Sequence, residues 1–159
     1  RDRSPSRGLG DVYKRQEDEG MNILFFLTPK SEVAYIPADE SLRQAFEKLK
    51  YHGYSAVPTL TDDGKYAGTI TEGDVLRAME SMCHWNISEA EKVKLMDVKR
   101  KRNIQAVTIS TDMDDLVDVI TDQNFVPVID DQEKFIGIVT RKDVIRFYHD
   151  EYRKLEKNE

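Results

Sequence analysis

The chain has 159 residues, 39% hydrophobic and 34% charged, the size of one compact domain or of two small units sharing a core. A formal net charge of −6 argues against non-specific nucleic-acid binding, and the longest apolar run, Ile23-Leu24-Phe25-Phe26-Leu27, is far too short to span a bilayer. Cys83 is the only cysteine, which excludes an intramolecular disulfide and a cysteine-based zinc site and suits a reducing, cytoplasmic compartment.

Residues 1–20 are rich in Ser, Pro, Gly, Arg and Asp and lack a periodic apolar pattern or an apolar centre. They are expected to be a disordered leader or a cloning scar, not a signal peptide. Their charges cancel, so residues 21–159 carry the whole −6.

Residues 21–82 form a first unit. Residues 32–37 are predicted as a strand. Leu42, Ala45, Phe46 and Leu49 then follow the spacing of an amphipathic helix that ends near Gly53. Residues 55–61 and 65–71 are predicted strands joined by the turn Asp62-Asp63-Gly64, and residues 72–82 a helix with Val75, Leu76 and Met79 on one face. Residues 83–104 read as a linker, with a helix over 86–102 capped by Ser88 and ending in Lys99-Arg100-Lys101-Arg102. The second unit, residues 105–150, has predicted strands at 106–110, 125–130 and 134–139 and a helix at 113–122. A last helix over 141–157 runs on into the tail, residues 151–159.

The two units are copies. Val57-Pro58, Lys65, Gly68, Thr71, Asp74-Val75 and Arg77 recur 69 positions later as Val126-Pro127, Lys134, Gly137, Thr140, Asp143-Val144 and Arg146. Measured from Asp39 and Asp112, the first helix of the second copy is about one turn shorter. A unit of roughly 50 residues buries little surface alone, so the fold class expected is mixed α+β: two pseudo-symmetric β-α-β-β-α repeats packed sheet to sheet around one core, with two equivalent clefts.

Gly68-Thr69-Ile70-Thr71-Glu72-Gly73-Asp74 and Gly137-Ile138-Val139-Thr140-Arg141-Lys142-Asp143 share the form G-x-h-T-x-x-D, with h apolar, at a strand-to-helix junction. Thr followed three residues later by an acid is also the pattern of a helix N-cap. A carboxylate there can accept two hydrogen bonds from a ribose cis-diol, while the hydroxyl and free helix N–H groups meet phosphate oxygens. The two readings are compatible.

The duplicated order strand–helix–strand–strand–helix, the h-P-h strands Val57-Pro58-Thr59 and Val126-Pro127-Val128, and the two G-x-h-T-x-x-D motifs together resemble a tandem pair of CBS domains over about residues 21–150. The resemblance implies a regulatory module that binds AMP, ADP, ATP, a dinucleotide or S-adenosylmethionine between the copies and forms a homodimer. It further implies that the T-x-x-D of one copy works with the first strand and h-P-h strand of the other. Cleft one would then use Thr71 and Asp74 with Val107, Asn124, Phe125, Val126 and Pro127. Cleft two would use Thr140, Arg141 and Asp143 with Ala34, Tyr35, Ile36, Tyr54, Ser55, Ala56, Val57 and Pro58. The apolar strand residues would hold the adenine.

Cleft two is expected to be the better nucleotide site. Arg141 offers phosphate a planar fork of donors, where the matching Glu72 would repel it. No required cofactor and no metal site is expected: His52, His84 and His149 are dispersed, and Met82-Cys83-His84-Trp85 reads as a helix end packed by Trp85. No residue set pairs a nucleophile with a base, so no enzyme is expected. The basic run 99–102 is diluted by nearby acids, which makes nucleic acid a weak reading. The expected function is adenine-nucleotide sensing that signals to a separate protein. A cyclic di-AMP receptor and a ligand-free interaction or dimerisation domain are the alternatives.

Overall fold

A computed structural model describes residues 22–158 of the chain. The leader expected at residues 1–20 lies outside the described residues.

Strands β1 (Thr28–Pro29), β2 (Ile36–Pro37), β3 (Ala56–Leu60), β4 (Tyr66–Thr71), β5 (Val107–Thr108), β6 (Phe125–Ile129) and β7 (Phe135–Thr140) form two sheets. One has the order β2-β3-β4 and the other β1-β7-β6-β5. Among the described residues five α-helices accompany them: α1 (Leu42–His52), α2 (Glu72–Cys83), α3 (Ile87–Ala90), α4 (Met113–Asp122) and α5 (Arg141–Lys157). The architecture is the mixed α+β duplicate that the repeat predicts.

Local chemistry sets the elements. Ser41 opens α1 through a capping box, its hydroxyl accepting from the Gln44 N–H at 3.2 Å and the Gln44 side chain accepting from the Ser41 N–H at 2.8 Å. Gly53, at φ 68°, closes the helix in the left-handed conformation. The prolines of the h-P-h strands stand just outside the parallel pairing. β2 meets β3 at Thr59 and Leu60, and β5 meets β6 at Val128 and Ile129. A missing N–H at Pro58 or Pro127 therefore costs no parallel ladder bond.

The two hairpins meet end to end. Lys65 and Lys134 form an isolated antiparallel bridge, the Phe135 N–H donates to the Gly64 carbonyl at 2.9 Å, and the Tyr66 and Phe135 rings stack with centroids 6.4 Å apart. The pseudo-two-fold passes between these matched residues.

The chain also crosses over. Ile23 and Phe26, in the 3-10 turn Ile23–Phe26, pack with Val126, Val128, Val139 and Val144, and β1 pairs with β7. Conversely, Ala90, Leu95 and Val98 of the connecting segment pack with Ile36, Leu42, Val57 and Ile70. Each repeat therefore receives the segment that precedes the other. The single shared core expected from the sequence is instead two hydrophobic clusters, one per repeat.

Other expectations change as well. The helix predicted over 86–102 is only α3, capped by Asn86 and not Ser88, followed by a 3-10 turn at Leu95–Asp97. Between these short turns its backbone bonds to the residues around the start of α1: the Leu42 N–H donates to Val93 at 2.8 Å and the Leu95 N–H to Glu40 at 3.0 Å. The first strand shrinks from 32–37 to Ile36–Pro37, because Lys30–Glu32 winds into a 3-10 turn. Ser41 and Asp112 are the matching N-caps, so the helices have 11 and 10 residues and no whole turn is missing. Trp85 is 57% exposed and does not pack the end of α2; Cys83 is buried, and burial pushes its thiol up.

Candidate functional site

Both motifs lie where a strand hands over to a helix, β4 to α2 and β7 to α5, with Thr71 and Thr140 as N-caps. Their glycines are required by the other half of the chain. A Cβ on Gly137 would stand 2.2 Å from the Thr28 carbonyl oxygen, and one on Gly68 would stand 1.8 Å from the Arg100 guanidinium. A crossing segment thus presses on each motif, backbone at Gly137 and side chain at Gly68.

In cleft one the carboxylate is fully engaged. Asp74 is 2% exposed. Its Oδ2 accepts from the Thr71 N–H at 3.1 Å, and its Oδ1 from Arg77 Nη2 at 2.6 Å and from the Lys101 N–H at 3.1 Å. Arg100 donates to the Ala67 carbonyl at 3.0 Å, and the Tyr66 hydroxyl donates to the Ile104 carbonyl at 2.7 Å. Arg102 continues to the Asp122 carbonyl at 2.8 Å, at the end of α4 and two residues from Asn124. Residues 100–102 therefore run from Asp74 toward the Asn124–Pro127 strand, across the space that the resemblance assigned to a ligand. Burial, the largest influence, lowers the Arg100 pKa; Tyr66 and Asp74 oppose it, and the guanidinium remains charged.

The second motif repeats the first with fewer bonds to its carboxylate. Thr140 Oγ1 accepts from the Asp143 N–H at 3.2 Å, which completes the cap on the hydroxyl side. Among the described residues no donor bonds the Asp143 carboxylate: Arg146, the match of Arg77, forms no ion pair with it, and the reciprocal bond to the Thr140 N–H is not made. The segment entering this cleft pairs through its backbone, Thr28 opposite Ile138 and Pro29 opposite Gly137, and its 3-10 turn Lys30–Glu32 packs against β7.

Arg141 does not hold a free fork toward phosphate. Its Nε and Nη2 donate to the Ile120 and Thr121 carbonyls at 2.9 and 3.1 Å, so it caps the end of α4, which lacks a left-handed C-cap residue. Two cations that sequence reasoning missed stand beside Tyr35, one of the residues that the resemblance assigns to this cleft. Lys30 Nζ lies 5.4 Å and Lys48 Nζ 6.0 Å from the Tyr35 ring centroid, and Lys48 also donates to the Tyr35 carbonyl at 2.6 Å. Two lysines 18 positions apart carry no spacing signal; only the position of Tyr35 beside both strand and helix joins them.

The apolar candidates divide by burial. Ile36, Val57, Val107 and Val126 belong to the repeat cores, and Pro58 and Pro127 are buried in the sheets, so these positions offer a ligand mainly their backbone. Ala34, Tyr35, Ala56 and Phe125 are half-buried, and Tyr54, Ser55 and Asn124 are exposed, which leaves their side chains available. Ser55 and Asn124 take matching places beside the motifs, their carbonyls accepting from the Glu72 and Arg141 N–H groups, each at 2.9 Å.

Comparison with known proteins agrees with this duplication. The CBS domain family model matches twice, over residues 26–81 and 95–150. A crystal structure of CbpB in complex with c-di-AMP superposes with a TM-score of 0.80 at 24% identity, covering 94% of this chain and 99% of that one. The CbpB of Listeria monocytogenes, also in complex with c-di-AMP, gives a TM-score of 0.73 at 25% identity, covering 84% and 98%. L-aspartate semialdehyde sulfurtransferase of Methanocaldococcus jannaschii is 26% identical over 110 residues; the match takes in 68% of this chain but spans only 20% of that enzyme. No helix among the described residues is long and apolar enough to cross a membrane.

Proposed function

The chain belongs to the CBS-domain family, and from that premise we propose that it is a regulatory module that senses an adenine nucleotide in the cleft around Asp143. One observation carries the choice of cleft: among the described residues the Asp143 carboxylate has no donor, whereas the equivalent Asp74 has three. A ribose cis-diol supplies the two O–H donors that such a carboxylate lacks. Lys30 and Lys48 supply cations beside Tyr35, and a nucleotide phosphate needs them in a chain of net charge −6. The module is non-catalytic, needs no cofactor, and acts on a separate regulated protein through the difference in ligand affinity between its conformations.

A homodimer is part of this reading. The groove between α1 and α2 holds a cavity of about 310 Å³ lined by Phe46, Leu49, Tyr54, Val75 and Leu76. The matching groove between α4 and α5 exposes Ile145, Tyr148 and Tyr152. Apolar faces in matching places on both repeats suit an isologous pair. Sedimentation at micromolar concentration checks it, with twice the chain mass expected.

A cyclic dinucleotide is the second reading, supported by the c-di-AMP bound to the similar Listeria protein. Calorimetric titration with AMP, ATP, c-di-AMP and S-adenosylmethionine separates the ligands. A hydrogen bond to a charged group contributes about 1.5–3 kcal/mol, so Asp143→Ala is expected to weaken the bound ligand at least tenfold. Loss of binding only in Asp74→Ala would overturn the assignment, and no heat with any of the four would favour the ligand-free interaction domain.

A further inference from the structure

The segment that fills cleft one is as specifically held as a ligand. Four contacts fasten it over five residues: Arg100 to the Ala67 carbonyl, the Lys101 N–H to Asp74, Arg102 to the Asp122 carbonyl, and the Ile104 carbonyl to the Tyr66 hydroxyl. Two of its groups stand where a nucleotide would. The Lys101 N–H takes the carboxylate oxygen that a ribose hydroxyl would use, and the Arg100 guanidinium lies against the Gly68 backbone. Thr28 and Pro29 lie against the matching glycine, Gly137, in cleft two, where among the described residues the carboxylate keeps its acceptors free.

We propose that residues 100–102 are a built-in occupant of cleft one, so that the chain has one open nucleotide site, at Asp143, and a latent one, at Asp74, exposed only when this strap lifts. The inference rests on the reading of the two carboxylates as ribose acceptors. Its physical basis is competition for the same lone pairs, since three protein donors already satisfy Asp74 and a ribose gains little by replacing them. Lifting the strap also has a distant effect. Arg102 leaves the Asp122 carbonyl at the same helix end where Arg141 holds the Ile120 and Thr121 carbonyls. The end of α4 thus stands between the two clefts and is bonded from both, so opening one loosens a contact of the other.

The test uses the full chain, with AMP as the calorimetric probe and amide hydrogen exchange at Lys101 as a readout that needs no ligand. The wild type is expected to bind one AMP per chain and to protect the Lys101 amide at least a hundredfold. The double substitution Arg100→Ala/Arg102→Ala should release that amide and raise the stoichiometry to two, and adding Asp74→Ala should return it to one. Both side chains lie largely outside the cores, and Arg100→Gln with Arg102→Gln is the milder variant if folding suffers. Two equivalents in the wild type, or one equivalent in a variant whose Lys101 amide is free, would overturn the occupant. Free exchange of Lys101 in the wild type overturns the strap whatever binds. A protected Lys101 with no AMP bound by either protein overturns the ribose reading, and the occupant with it.

Discussion

The two clefts carry one motif in two electrostatic states. At Asp74 the aspartate works inside the protein, bonded by the backbone of its own cap, by Arg77 one turn on, and by the connecting segment. At Asp143 the same residue, at the same strand-to-helix junction, bonds none of them. Part of the difference lies within the repeat, where Arg77 reaches Asp74 but Arg146 forms no ion pair with Asp143 among the described residues, and part in what crosses in front of the motif. Thr28 and Pro29 pair with β7 through their backbone, whereas the segment at the first motif places Arg100 against the Ala67 carbonyl and gives the Lys101 N–H to Asp74. Duplication supplies two equal sites, and a substitution in the segment of the other repeat is enough to separate them.

The largest expected effect is at the glycines. Gly137→Ala drives a Cβ into a strand carbonyl that cannot move without unpairing β1, and is expected to destabilise by about 3 kcal/mol. Gly68→Ala meets only the end of a flexible arginine, so about 1–2 kcal/mol of backbone strain at φ +105° is expected. Urea midpoints compare them, and equal losses would break the contrast between backbone and side-chain crossing. The carboxylates come next. Asp74→Ala leaves three donors without their acceptor and should cost about 2–3 kcal/mol, while Asp143→Ala should change stability by no more than about 0.5 kcal/mol. Similar costs in both would mean that Asp143 is as structural as Asp74. The smallest effect sharpens the role of Arg141. Arg141→Ala should lower stability by about 1 kcal/mol through the uncapped α4 while changing AMP affinity less than threefold by titration, because its donors are spent on carbonyls.

Much of the fold was legible because its signals are local. The 69-residue repeat, the spacing of Leu42, Ala45, Phe46 and Leu49, and the Asp62-Asp63-Gly64 turn each depend on neighbours in the chain. The bounds Met113–Asp122 and Arg141–Lys157 emerge in the structure as the periodicity placed them. The misread parts depend on distant partners. Residues 86–102 have the composition of a helix, but the Val93 carbonyl, the Leu95 N–H and the apolar residues Ala90, Leu95 and Val98 are taken by repeat one. The exposure of Trp85 and the capping by Arg141 likewise follow from tertiary neighbours. For the candidate site, pattern identified Asp74 and Asp143 together, but the bonding that distinguishes them depends on tertiary neighbours. The basic run 99–102 reads from the sequence as a helix end or a weak nucleic-acid patch, because its partners Ala67, Asp74 and Asp122 lie 20 to 33 positions away.

The sequence by itself determined the duplication, the family's motif at two strand-to-helix junctions, and the carboxylate that each motif offers. These follow from residue type and spacing, which survive without knowledge of contacts. The tertiary structure alone decided that the Asp74 carboxylate is bonded while the Asp143 carboxylate meets no donor among the described residues. That depends on the crossing of the two halves and on where Arg77 and Arg146 reach, where a few ångströms decide whether a donor meets the aspartate, and no periodicity in the chain encodes that distance.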